Sequence, residues 1–120
     1  MISLAIASTI NAHVNASTSY CSDATLYGRP EFWEVAAGQG DCEDYALAKR
    51  AALLKAGADL DDLRLATCWT ENDEYHAVLI VTTDDGEFVL DNRYPDPMPR
   101  QLLPYRWDKI QKGSQWFSVA

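Results

Sequence analysis

A cysteine that opens a helix constrains this chain more than any other feature. In Gly38-Gln39-Gly40-Asp41-Cys42-Glu43-Asp44-Tyr45, two glycines make a turn, an aspartate follows, and the cysteine begins an alanine-rich run that ends at Gly57. Asp41 reads as the N-cap, because a short side-chain oxygen there accepts a hydrogen bond from a free amide one turn into the helix. Gly57 stands where a left-handed helix stop is wanted. Glu43 and Asp44 fall in the first turn and Lys49, Arg50 and Lys55 fall later, so the charges complement the helix dipole. The pattern predicts a helix over Cys42–Ala56 with Ala46, Leu47, Ala51, Leu53 and Leu54 buried. Its many alanines allow a sheet to approach closely. The Cys42 sulfur is thereby placed at a helix N-terminus, a setting that favours thiolate. A free cysteine elsewhere in a chain is usually a small buried hydrophobe.

Upstream, Leu4, Ile6, Ile10 and Val14 predict an amphipathic helix from Ile2 to about Val14, with Ser3, Ser8, Thr9 and Asn11 solvated. A short second helix over Pro30–Ala37 follows from Pro30 at its first position, with Phe32 and Trp33 in the core. Downstream the period changes to two. Leu63–Trp69 alternates, and Glu71–Glu74 is a polar turn. Tyr75–Thr82 is an apolar, β-branched run suited to a central strand. Thr83-Asp84-Asp85-Gly86 makes a hairpin loop, and Glu87–Asp91 returns as the partner strand. Four of the five prolines fall between Arg93 and Pro104, which predicts an ordered irregular loop. Tyr105–Trp107 and Gln115–Val119, separated by a Lys112-Gly113 turn, read as closing strands.

Composition narrows the function classes. The 120 residues suit one compact domain, 1–120. A net charge of -8 argues against nucleic acid and against an anionic membrane surface, and is compatible with cationic partners or a bound divalent metal. Three cysteines with no CxxC pair argue against a disulfide framework or a zinc knuckle. No apolar run approaches the length of a membrane span, so membrane insertion is not expected. The apolar N-terminus lacks a basic n-region and does not read as a secretory signal. As written, the chain is expected in the cytoplasm or as a phage-encoded protein, and in the periplasm if the sequence is a trimmed form.

A thiol nucleophile needs a base, and the base needs a group to orient it. Of the two histidines, His76 begins the central strand, and Asp91 ends the strand that pairs with it. An antiparallel register whose paired numbers sum to an odd value puts positions 76, 78 and 80 on one face with 89 and 91. A two-residue Asp85-Gly86 loop sets Ile80 opposite Asp91 and leaves His76 about 13 Å away. A loop of about four residues sets Val78 opposite Asp91 and makes His76 its diagonal neighbour. A loop of about six makes them face each other. A Cys42-His76-Asp91 triad therefore requires one of the longer loops or a bulge.

Three segments together carry a resemblance: Gly40-Asp41-Cys42-Glu43-Asp44-Tyr45-Ala46-Leu47-Ala48-Lys49, Tyr75-His76-Ala77-Val78-Leu79 and Val89-Leu90-Asp91-Asn92. In this order they resemble the bacterial transglutaminase-like cysteine peptidases, which include periplasmic enzymes that clip large surface adhesins. The weaker piece Tyr27-Gly28…Phe32-Trp33 is similar to the same family. The resemblance implies an α+β, papain-like or transglutaminase-like fold, with N-terminal helices and the nucleophile helix packed on an antiparallel sheet. It implies Cys42 as nucleophile, His76 as general base and acid, and Asp91 as the residue that orients it. The Cys42 amide would be one oxyanion donor, with Gln39 or Trp33 as candidates for a second. The family's calcium ligands match Asp41 and Glu43, with Asp44 a further candidate. Carboxylates beside Cys42 oppose thiolate formation, and a hard divalent cation such as Ca2+ would offset that repulsion. The expected activity is thiol hydrolysis of a protein or peptide substrate through an acyl-enzyme. Acyl transfer of the transglutaminase type on the same triad, and a non-catalytic binding module retaining the fold, are the alternatives. Oligomeric state is not legible in the sequence.

Overall fold

A five-stranded antiparallel sheet forms the floor on which the functional groups are mounted. In the computed structural model, residues 1–17, 19–20, 39–40, 42–113 and 115–119 are described. The elements in chain order are α1 (Leu4–Ser17), β1 (Ser19–Tyr20), β2 (Gln39–Gly40), α2 (Cys42–Lys55), β3 (Leu63–Trp69), β4 (Tyr75–Thr83), β5 (Gly86–Leu90), β6 (Arg106–Lys112) and β7 (Gln115–Ser118). The sheet order is β5-β4-β3-β6-β7, and β1 pairs with β2 in a separate parallel pair. This is the expected α+β arrangement of helices on an antiparallel sheet. The short helix predicted over Pro30–Ala37, with Phe32 and Trp33, lies outside the described residues, as does Asp41.

Alternation along the strands builds two cores. Leu63, Leu65, Leu79, Val81 and Leu90 pack beneath Ala7, Ala46, Leu47 and Leu53 of the helices. Ala66, Cys68, Val78, Ile80 and Val89 form the opposite face with Leu103 and Tyr105. The β4–β5 register pairs Leu79 with Leu90 and Thr83 with Gly86, so paired numbers sum to 169 and positions 76, 78, 80, 89 and 91 share parity. The hairpin closes on Asp84-Asp85 rather than Asp85-Gly86, because Gly86 takes the positive φ of 110° that ends the turn. This is the intermediate register, the one with His76 diagonal to Asp91.

The helix α2 ends as its sequence indicates. Gly57 has φ 105°, its amide bonds to the Leu54 carbonyl, and the Ala58 amide bonds to the Leu53 carbonyl, a Schellman stop. Its buried set differs from expectation. Cys42, Ala46, Lys49 and Leu53, spaced four, three and four apart, are all buried, whereas Ala51 and Leu54 are exposed. Lys49 thus belongs to the buried stripe and not to a solvated face. The solvated face expected on α1 also needs correction. Asn11 is fully buried, and Ile6 is exposed. Asn11 Nδ2 donates to the carbonyls of Tyr94 and Pro95, and Asn15 Nδ2 donates to those of Asp91 and Tyr94. The irregular loop leaves those carbonyls without ladder partners, so α1 must supply polar donors to it.

Candidate active site

Cys42 is the first residue of α2, and β2 leads into it two residues earlier. The α2–β4 packing sets its sulfur against the start of β4, where the Ala77 amide donates to Cys42 Sγ at 3.4 Å. A cleft of about 260 Å³ opens there, lined by Cys42, Thr70, Glu74, Tyr75, His76, Asn92 and Arg93. Cys42 and His76 therefore share one cavity wall. His76 occupies the second residue of β4, and Asp91 follows the last residue of β5. His76 Nε2 and Asp91 Oδ1 are 2.8 Å apart, both groups buried. The diagonal relation set by the hairpin register is thus close enough for a direct hydrogen bond.

Asp91 is 1% exposed, and its carboxylate is held on both oxygens. Oδ1 also accepts from the Arg93 amide at 3.0 Å, and Oδ2 accepts from the Tyr105 hydroxyl at 2.5 Å. Burial pushes the Asp91 carboxyl up. The hydrogen bond and charge of His76, the Tyr105 hydroxyl and the Arg93 amide outweigh burial and hold it below the ordinary carboxylate range. The Tyr105 ring meets the His76 ring edge-on at 5.5 Å. Arg93 Nη1 donates to the Tyr105 hydroxyl at 3.1 Å, and the guanidinium grips Glu71 through two bonds of 2.8 and 3.0 Å.

The acidic pair beside the cysteine is inside the protein. Glu43 and Asp44 are both buried, and Cys42 Sγ donates to Glu43 Oε2 at 3.4 Å. Asp41, the third residue of the expected calcium set, lies outside the described residues, as do the side chains of Gln39 and Trp33. Among the described residues no group of three or more His, Cys, Asp or Glu side chains converges on a single point.

Four contributors lacked a sequence signal of their own. Tyr105, just before β6, Arg93, in the irregular loop, and Asn15 of α1 bond Asp91 directly, and Asn11 of α1 holds the adjoining loop carbonyls of Tyr94 and Pro95. Lys49 is buried about two turns along the same helix face from Cys42, 5.9 Å above the Tyr45 ring, and its Nζ has no hydrogen-bond partner among the described residues. Burial lowers its ammonium to about 7, against the opposing pull of the Asp91 charge.

Residues 3–120 match the family described as bacterial transglutaminase-like cysteine proteinase, BTLCP. No curated protein matches the chain. Among solved structures, calcium-bound Legionella pneumophila LapG superposes with a TM-score of 0.79 at 20% identity, over 94% of this chain and 67% of that one. EGTA-treated LapG superposes with a TM-score of 0.79 at 20% identity, over 95% and 66%. This likeness is one of fold, and the chain spans about two thirds of the LapG length. With the family match running nearly end to end, the chain belongs to the bacterial transglutaminase-like cysteine proteinases and is a cysteine peptidase of transglutaminase-like fold.

Proposed function

We propose that the chain cleaves peptide bonds through an acyl-enzyme on Cys42, with His76 as general base and acid and Asp91 as its orienting group. The observation that carries this reading is the 2.8 Å bond between His76 Nε2 and Asp91 in a chain whose Cys42 sulfur rests on the next residue of the same strand. With Nε2 committed to Asp91, His76 Nδ1 is left to exchange a proton with the thiol. The thiolate attacks the scissile carbonyl carbon, and the displaced π pair moves onto oxygen, toward the Cys42 amide. The C–N bond then breaks, the amine leaves with the proton from Nδ1, and a thioester remains. Water gives a proton to Nδ1 and attacks the thioester. The C–S bond breaks and sulfur takes the proton back.

Calcium fits the donor chemistry. Glu43 and Asp44 are buried carboxylates of the kind a hard cation takes and would be its ligands; Asp41, outside the described residues, is the third candidate by its place in the sequence. The Glu43 carboxylate against Cys42 Sγ disfavours thiolate by like-charge repulsion. A divalent cation held by these carboxylates would supply the positive charge that offsets it. The calcium-bound and EGTA-treated LapG structures support extending this property to the present chain.

The test is site-resolved alkylation with iodoacetamide, read by mass spectrometry of the cysteine peptides. Cys42 should react at least about a hundredfold faster than Cys68, and calcium should raise the Cys42 rate several-fold over chelator. Equal rates at the two cysteines would remove the nucleophile assignment. Equal Cys42 rates with and without calcium would remove the metal.

A further inference from the structure

The groups behind Asp91 form a continuous relay of hydrogen bonds that the triad alone does not require. Glu71 holds Arg93, Arg93 donates into the Tyr105 oxygen, and Tyr105 stands against the Asp91 oxygen that His76 does not use. Donor logic fixes the direction. Arg93 can only donate, so the Tyr105 oxygen accepts from it, and the phenolic proton is left for Asp91. Burial first, and then the neighbouring carboxylate, push the Tyr105 phenol above its ordinary value, so it serves as a proton-bearing donor. Its ring lies edge-on to both His76 and Trp107, which holds the phenol beside Asp91. The Asp91 carboxylate is consequently pinned on both oxygens, and only one rotation of it faces Nε2.

We propose that Tyr105 is a positioning residue of the hydrolytic site: its hydroxyl sets the rotation of the Asp91 carboxylate and draws off part of its charge, and so governs how Asp91 holds the His76 ring. This rests on the triad reading above, and Tyr105 touches neither the thiol nor the substrate in it. The relay also ties the β3–β4 turn, through Glu71, to the loop after β5.

Tyr105→Phe keeps the ring and removes only the hydroxyl. The rate of Cys42 alkylation by iodoacetamide should fall about tenfold, the scale of one hydrogen bond to a charged group. The Nε2 proton resonance of His76, assigned by its loss in His76→Ala, should move to lower field as Asp91 becomes the stronger acceptor. Fluorotyrosine at position 105, a stronger donor of nearly the same shape, should move it to higher field. In an Asp91→Asn background, Tyr105→Phe should change the alkylation rate by less than about twofold. An unmoved resonance in both Tyr105 variants overturns the proposal, and so does an undiminished cost of Tyr105→Phe in the Asp91→Asn background. A merely structural role would lower the rate in both backgrounds alike. Failure of the triad reading has its own sign, which is peptide hydrolysis retained by Cys42→Ala, whatever the Tyr105 variants do.

Discussion

Two cysteines flank the same histidine, and their surroundings differ in polarity. Cys68 stands directly opposite His76 on the neighbouring strand, and its thiol donates to the His76 carbonyl at 3.6 Å. Cys42 comes from the helix, and its sulfur accepts the next amide of that strand at 3.4 Å. Burial, followed by the charge of Asp91, pushes the Cys68 thiol up to about 12. Cys42 Sγ also donates to Glu43 Oε2 at 3.4 Å, so both sulfurs are donors, and of the two only that of Cys42 also accepts a backbone amide among the described residues. Nearness to an imidazole is therefore insufficient. On the proposed reading, the amide that Cys42 accepts and the cleft that it borders set it apart from Cys68, which packs in the core.

The widest separation should come from replacing each cysteine in turn. Cys42→Ala should remove peptide hydrolysis by more than about a thousandfold, with stability changed by no more than about 1–2 kcal/mol. Cys68→Ala should leave turnover within about threefold and lower stability by about 1 kcal/mol. Loss of hydrolysis in both variants, with both still folded, would break the contrast. Next in size is Asp91→Ala, which should lower kcat about 10²–10⁴-fold by freeing the His76 ring. The same substitution should lower the Cys68 thiol from its raised value, because Asp91 is one of its causes. A titration of Cys68 alkylation that stays where it was would show that burial alone holds it.

The smallest effect concerns Lys49, which shares the buried helix face with Cys42. Its folded value of about 7 lies below the unfolded value of about 10.4. A depressed lysine contributes stability that is complete above the unfolded value and is lost as pH falls through the folded one. Between about pH 8.5 and 7 the wild-type chain should therefore lose stability through Lys49 as it is acidified. Lys49→Met should flatten that slope and raise stability near pH 7 by about 1–4 kcal/mol. Thermal melts of the two chains that run parallel across the interval would show that Lys49 is charged without penalty.

Strand positions and site parity were legible in the chain because a period of two leaves a strong trace. Leu63–Trp69 and Tyr75–Thr83 alternate or run apolar, and hairpin parity alone brings His76 and Asp91 to one face. The loop length was not legible, since Asp84, Asp85 and Gly86 allow more than one closure. Lys49 was misread because alanines surround α2 on all sides and blur its buried stripe. Asn11 reads as solvated because nothing local announces the loop carbonyls, 83 and 84 residues on, that need its amide. Tyr105 lies 14 residues beyond Asp91, across a proline-rich coil with no period to extrapolate.

The pair Asn11 and Asn15 has a consequence for how the enzyme is assembled. The Asn15 amide of the first helix bonds the peptide carbonyl of Asp91 itself, and Asn11 bonds those of Tyr94 and Pro95, so the residue proposed to orient His76 is fastened by chain made long before it. On the triad reading, the site is complete only when these early and late segments meet, so competence is expected to arrive together with the finished tertiary structure.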